Sequence, residues 1–276
     1  MSKSFDLHCH STESDGTLTP TQLVERAAAA GVDVLALTDH DTTRGIAEAR
    51  QAAEGSGLEL VAGVEISITW NKMTIHMLGL KVDHEHAGLQ QGLRTLREFR
   101  GWRAEEMGRR LERKGIAGAY AGARALSNGR LISRTHFARF LVRQGYADSD
   151  RQVFKKYLVS GKPGHVAGEW AELEEAVSWV RNAGGKAVIA HPVRYKLTRS
   201  KLRKLLSHFV AVGGEGLEVV SGSHSRDECY IMANLAREFG LAASAGSDFH
   251  TPENSWTDVG RLLPMPDGVR PVWLDW

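Results

Sequence analysis

Cysteine is nearly absent from this 276-residue chain: Cys9 and Cys229 are the only two. They allow no disulfide framework, no Cys-x-x-Cys pair and no thiolate zinc site, so a reduced, cytoplasmic setting is expected. No run approaches the ~18 apolar residues that a membrane-spanning helix requires. The opening MSKSFDLHCH turns polar within ten positions, which leaves no room for an apolar signal segment. Neither export nor a membrane span is expected. An excess of one charge is also missing, because 35 Lys and Arg face 33 Asp and Glu for a net of +2. The chain as a whole therefore points to no particular partner. Internal repeats and low-complexity tracts are absent, and 42% hydrophobic with 25% charged residues excludes general disorder.

Histidine is plentiful, at 12, and several stand beside Asp or Glu at the ends of apolar runs. The first 80 residues alternate strand-like and helix-like segments. Phe5 to His10 is strand-like. Thr19 can cap a helix with Pro20 at its first position and Gln22 closing a capping box, ending at Gly31. A strand over 32–41, a helix over 46–54, the run LELVAGVEIS and, after a turn at Asn71, TIHMLGLKV follow.

From 86 to 165 the pattern becomes helical, with glycine-rich joints at 115–122 and 128–130. This stretch holds 17 Lys and Arg against 6 Asp and Glu, a net of +11, so the rest of the chain carries a net of −9. Near-neutrality hides two opposite halves. Alternation resumes after 165 with the helix EWAELEEAVSWVRNAGG, the strands KAVIAHP and GLEVVSG, a capping box framed by Ser225 and Glu228, and the strand LAASAGSDFH. Parallel β/α units flanking an insertion predict one α/β barrel, formed by 1–85 and 166–276, interrupted by a basic helical lid over 86–165. The tail from Pro252 onward holds four of the 7 prolines and is expected to close the barrel as loop.

His8 and His10 lie two apart on a strand, so both imidazoles leave one face while Cys9 points into packing. An isolated His-x-His is more often a pair of strand-end histidines than a metal site. Here Asp15 follows in a turn, Asp39-His40-Asp41 follows VLALT, Glu65 ends LVAGV, His76 is in the next strand, His191 ends KAVIA, and Asp248 and His250 end AASAGS. In a parallel barrel those ends converge on one rim, where active sites are built. One buried His or Asp is ordinarily a satisfied core polar group. Nine on one rim point to metal ions. Imidazole and carboxylate donors without sulfur suit manganese, iron, zinc or magnesium without choosing among them.

The segments DLHCHSTESDGTLTP, LALTDHDT, the Glu65 and His76 pair, AHPVRY and SAGSDFH resemble the successive motifs of the PHP phosphoesterases. SRTHFARFLV, GKPGHV and VVSGSH are similar to the branch of that family containing ribonuclease AM and the 3′,5′-nucleoside bisphosphate phosphatases. The resemblance implies a distorted barrel of seven strands with alternating helices and three divalent metal ions, manganese first, with Fe, Zn or Mg as alternatives. His8, His10, Glu65 and Asp248 would hold one ion, Asp15, His40 and His250 a second, and Glu65, His76 and His191 the third. It further implies phosphate binding by Arg134, Lys162 and Arg194, and a substrate contact or proton donation by His224. Each Arg or Lys has a plainer reading as a solvated charge, and His136, beside Arg134, one as a packing or capping residue. Asp39 is either a support for the ligands or a turn residue.

The expected function is removal of the 3′-phosphate from 3′,5′-nucleoside bisphosphates, or trimming of short RNA from a 5′-phosphate, with a nucleotide or short RNA as substrate and no obligate protein partner. The +11 segment supports a polyanionic substrate independently, since six acids cannot pair seventeen bases. Most aromatics of that segment read as its core, and one or two as stacking surfaces for a base. The alternatives are a phosphatase for a small metabolite such as histidinol phosphate, an amidohydrolase, and a non-enzymatic, metal-stabilised regulatory module.

Overall fold

The computed structural model describes residues 3–128, 130–253 and 256–276. Its strands are β1 (Phe5–Cys9), β2 (Val34–Leu37), β3 (Glu59–Trp70), β4 (Met73–Leu80), the short β5 (Ala171–Glu172), β6 (Lys186–Ile189), β7 (Gly216–Ser221) and β8 (Ala242–Gly246). They run β1-β2-β3-β4-β6-β7-β8, with β5 paired to β3. Closure between β8 and β1 comes from the backbone beyond β8: Asp248 N donates to His8 O at 2.7 Å and His10 N to Phe249 O at 2.9 Å. The result is a distorted barrel of seven strands, as expected.

Local sequence accounts for the connecting helices. Thr19 and Gln22 form a complete capping box on α1 (Pro20–Ala29), with Pro20 opening the helix. After α2 (Ile46–Ala53) comes the insertion, α3 (Ala87–Glu112), α4 (Ala119–Leu126), α5 (Arg134–Arg143) and α6 (Asp150–Val153). α7 (Leu173–Asn182) and α8 (Arg199–Ala211) follow. Ser225 and Glu228 cap α9 (Arg226–Phe239), which ends at Gly240 in the left-handed conformation. All four residues of β2 are buried, the pattern of a strand covered on both faces.

The barrel is not uniformly parallel. Asn71 and Lys72, with φ of 48° and 63°, make a tight turn, so β3 and β4 form an antiparallel hairpin and β4 also runs antiparallel to β6. A two-residue connection cannot support a parallel crossover. Glu65 accordingly does not end its strand, which continues to Trp70, and His76 lies within β4 instead of at a strand's C-terminal end. Because β4 is reversed, its early residues still reach the rim shared by the ends of the parallel strands.

Leu7, Val34, Val61, Leu78, Leu80 and Val188 fill the barrel, and Val272 of the tail joins them. The tail pairs through Pro271 with Ala243, forms a short 3₁₀ turn over Val272–Asp275 and stacks Trp273 on Phe5 at 4.1 Å between ring centroids. It closes the barrel with a structured plug, not with loop alone. Helix α3 belongs to two cores. Leu89, Leu93 and Leu96 pack on the barrel layer, whereas Ala104, Met107 and Leu111 pack with Phe137, Leu141 and Leu158 in a separate cluster. Gly92 permits the close approach, since a Cβ there would sit 2.5 Å from the Trp179 ring. Among the described residues no helix is long and apolar enough to cross a membrane.

Leu80 is fully buried in the barrel interior. Truncation to alanine should lower the unfolding free energy by about 2–5 kcal/mol, read from urea denaturation. A loss under ~0.5 kcal/mol would contradict the interior packing of Leu80, because even Ile→Val in a core costs about that much.

Candidate metal centre and substrate cavity

The rim is organised by backbone pairing before any side chain acts. Asp41 N donates to Glu65 O at 2.9 Å and Glu65 N to Asp39 O at 3.2 Å, which sets His40 beside Glu65. Asp39 accepts from Ser11 N at 2.8 Å, Ser11 Oγ at 2.6 Å and Ser14 Oγ at 2.5 Å, fixing the loop that presents Asp15. Asp39 thus shapes the loop. At Gly16 a Cβ would lie 2.4 Å from His10 O, so the turn there has room only for glycine. His191 and Asp248 take φ of 28° and 53°, a conformation costly for residues with side chains and concentrated at functional sites.

Glu65 is fully buried and lies at the centre. Its Oε2 is 3.4 Å from His8 Nε2, 3.2 Å from His10 Nε2 and 2.9 Å from His40 Nδ1, and its Oε1 is 3.0 Å from His76 Nδ1 and 2.9 Å from His191 Nε2. Asp248 Oδ1 lies 3.4 Å and 3.3 Å from the Nε2 atoms of His8 and His10, and Asp15 Oδ1 lies 3.3 Å from His250 Nε2. All nine residues singled out in the sequence meet in one cluster. Burial would raise the Glu65 carboxyl, but the imidazoles of His40, His76 and His8 outweigh it and hold it well below the usual range. Asp15 is held low in the same way by His250 and His40. Burial alone would lower His10, yet the carboxylates of Asp248 and Glu65 beside it raise it to about 10, while burial takes His40 down to about 4.

Four groupings place their donor atoms within 4.8 Å of one another: His10, Asp15, His40 and His250; His8, His10 and Asp248; His8, Glu65 and His191; and His40, Glu65 and His76. The first is the expected set of Asp15, His40 and His250 with His10 added, and the second is the expected set of His8, His10, Glu65 and Asp248 without Glu65. In the expected trio of Glu65, His76 and His191 both imidazoles lie within 3.0 Å of Glu65 Oε1, although they fall in different groupings, each of which contains Glu65. Asp15 Oδ1, His40 Nδ1, Glu65 Oε2 and His76 Nδ1 are buried without a hydrogen-bond partner. Buried polar atoms are rarely left so, and cations among these oxygen and nitrogen donors would satisfy them.

The cluster forms one wall of a cavity of about 550 Å³. The lining also carries Arg100, Arg103, Arg134 and His165, together with Trp170 and Phe154. Arg100 is committed to Asp41 at 2.6 Å. Arg103 donates only to the Val166 carbonyl, at 3.0 Å, and stands 5.5 Å from the Trp170 ring, while Arg134 stands 5.6 Å from that of Phe154. Among the described residues neither Arg103 nor Arg134 has an acidic partner within ion-pair distance. Burial together with Arg134 and Arg100 pushes Arg103 down to about 9.

Of the expected phosphate ligands, Arg134 and Arg194 line the cavity, and Arg194 also engages Asp248. Lys162 does not. It is exposed, and the turn it begins brings His165 to the wall instead, through His165 N donating to Lys162 O at 3.0 Å. His224 is buried off the lining, its Nδ1 3.1 Å from Val219 O. His136 caps α5, accepting from Ser133 N at 3.0 Å.

Sequence reading missed Arg100, Arg103, Trp170 and Glu218. The two arginines fall three apart in REFRGWR, on the stripe that also carries Leu93, Leu96 and Met107, and basic residues on a buried stripe were their signal. Glu218 is an acid inside the apolar run GLEVVS, fully buried. Its Oε1 is 3.0 Å from His8 Nδ1, and its Oε2 accepts from His191 N at 2.5 Å.

Residues 6–187 match the PHP domain. The chain is 50% identical to a 3′,5′-nucleoside bisphosphate phosphatase of Chromobacterium violaceum, over 98% of this chain and 95% of that one. It is 47% identical to a 5′-3′ exoribonuclease of Haemophilus influenzae, over 99% of both. A solved structure described as an amidohydrolase from Chromobacterium violaceum with bound sulfate superposes with a TM-score of 0.95 at 49% identity, covering 99% of this chain and 95% of that one.

Glu218 orients one histidine through its ring and another through its backbone, and such outer partners tune metal affinity. Glu218→Gln is expected to keep the fold and weaken manganese binding about 10–100-fold in chelator competition. Unchanged affinity would reduce Glu218 to a barrel-filling residue.

Proposed function

Since the chain belongs to the PHP domain family, we propose that it is a metal-dependent phosphoesterase. It removes the 3′-phosphate of 3′,5′-nucleoside bisphosphates and trims short 5′-phosphorylated RNA in the 5′-3′ direction at the same site. The carrying observation is the cavity whose lining brings together seven of the nine imidazole and carboxylate donors, all but the buried His8 and His10, and two arginines, Arg103 and Arg134, that have no acidic partner among the described residues. A substrate with two phosphates separated by a nucleoside meets both sets. The names of the relatives accord with this reading, one a nucleoside bisphosphate phosphatase and another a 5′-3′ exoribonuclease.

His8, His10, Asp15, His40, Glu65, His76, His191, Asp248 and His250 would hold three divalent ions, with manganese the first choice. Bound there, the ions would supply Lewis-acid polarisation of the phosphoryl group and an activated water. Asp15, His40 and Glu65 contribute by holding that centre in place. Arg194 lies where it can contact the reacting phosphate. Arg103 and Arg134 take the second phosphate, the role for which guanidinium geometry is best suited. Trp170 and Phe154 offer faces for the base. Segment 86–165 acts as a lid over the catalytic barrel of 1–85 and 166–276, and its net charge of +11 draws phosphate-bearing ligands toward the cavity. Cytoplasmic action accords with the two buried free cysteines.

A histidinol-phosphate-type substrate would leave Arg103 and Arg134 facing no anion. Amide hydrolysis is disfavoured because Glu65 occupies the centre and, among the described residues, no lysine lines the cavity. A regulatory module would not need the full donor set.

Phosphate release with manganese, compared for 3′,5′-adenosine bisphosphate, a 5′-phosphorylated RNA and histidinol phosphate, tests the reading. The first two should be preferred, and turnover of histidinol phosphate alone would overturn the branch assignment. Glu65→Ala or His10→Ala should bind less metal and lose activity while keeping the fold, so full activity in either would sink the site. Arg103→Ala should raise KM for the bisphosphate about 10–100-fold, the worth of a charged hydrogen bond, and leave hydrolysis of a nucleoside 3′-monophosphate unchanged. Equal losses on both substrates would remove Arg103 from recognition of the second phosphate.

A further inference from the structure

The loop bearing Asp15 is gripped from two directions. From the barrel, Asp39 holds Ser11 and Ser14. From the insertion, Thr135 Oγ1 donates to Asp15 Oδ2 at 3.0 Å, Arg139 Nη2 donates to Asp15 O at 2.9 Å, and Arg130 pairs with Glu13. Both Thr135 and Arg139 belong to α5. That helix is a firm support, because Ser133 and His136 form a capping box at its start and Phe137, Ala138 and Leu141 are fully buried in the core of the insertion.

The two oxygens of Asp15 therefore do different things. Oδ2 is taken by the Thr135 hydroxyl, while Oδ1 has no hydrogen-bond partner and faces His250 Nε2 at 3.3 Å and His40 Nε2 at 3.9 Å. The residue before Thr135 is Arg134, whose guanidinium stands in the cationic wall. One helical turn thus carries both a cation facing substrate and a hydroxyl that orients a metal donor.

We propose that Thr135 is a positioning residue: its hydroxyl fixes the rotamer of Asp15 so that Oδ1 faces the metal centre, and it links the phosphate-catching helix of the insertion to that centre. This rests on the reading of Asp15 as a metal ligand. Without the hydroxyl, Asp15 is free to rotate and to present either oxygen, and the ion it serves is held more weakly.

Thr135→Val removes the hydroxyl at nearly constant volume, and Thr135→Ser keeps it. Manganese titration of the metal-stripped full chain without substrate, followed by the electron paramagnetic resonance signal of free manganese, is run beside steady-state kinetics on 3′,5′-adenosine bisphosphate. Thr135→Val is expected to weaken the most loosely held manganese about 10-fold or more and to lower kcat at limiting manganese with little change in KM. Thr135→Ser should restore both, and Thr135→Ala serves as the hydroxyl-free variant if valine unfolds the helix by circular dichroism. Wild-type manganese affinity in the hydroxyl-free variants overturns the proposal, and so does a rise in KM alone. Asp15→Asn separates the two levels: wild-type manganese binding in it would remove the ligand reading and the proposal together, whereas weaker binding in it alone would remove only the role of Thr135.

Discussion

A carboxylate at the centre of a barrel rim, out of contact with water and within 3.4 Å of five imidazoles, is the constraint around which this molecule is arranged. Burying such a charge is costly unless opposite charge and hydrogen bonds surround it. Each strand that contributes an imidazole also contributes to closure of the barrel, so the fold and the site are solved by the same pairing. The antiparallel hairpin of β3 and β4 illustrates this. Its reversed second strand brings His76 back to the carboxylate on β3, which a parallel crossover would not have done at that chain length.

Support for the cluster comes from residues with no place in it. Glu218 reaches His8 and the backbone of His191 from inside β7, and Asp39 ties down the loop of Asp15. Strain is tolerated at His191 and Asp248, where a positive φ turns donors inward. Precision at the rim is thus obtained from backbone hydrogen bonds and buried acids.

The insertion divides its work along α3. Its first half is barrel-facing packing, and its second half begins a separate core from which α5 projects to the cavity. Arg100 joins the two by bonding Asp41 and Ser67 beside the metal-binding rim while stacking over Trp170 at 4.9 Å. Positive and negative side chains thereby line a single cavity. A molecule bearing two phosphates fits that polarity.

Much of this was legible in the chain itself. Capping boxes at Thr19 and Ser225, the turn at Asn71, the β/α alternation and all nine donors are local patterns, fixed by periodicity, caps and residue chemistry within a few positions of one another. What the sequence could not decide was which side chains reach the same space. His165 rather than Lys162 faces the cavity because the Gly161–Gly164 turn closes on Tyr157. His224 is drawn away by the carbonyl of Val219. Glu218 looked like part of an apolar run until β7 was set beside β8 and its side chain met His8. Arg103 looked like any surface base of an amphipathic helix until Trp170 and Val166 covered it. Sequence determined the chemical types and their local geometry, since those depend on short-range sterics and hydrogen bonding. Convergence across as many as 240 positions, as from His8 to Asp248, depended on barrel closure, and only the tertiary structure decided it.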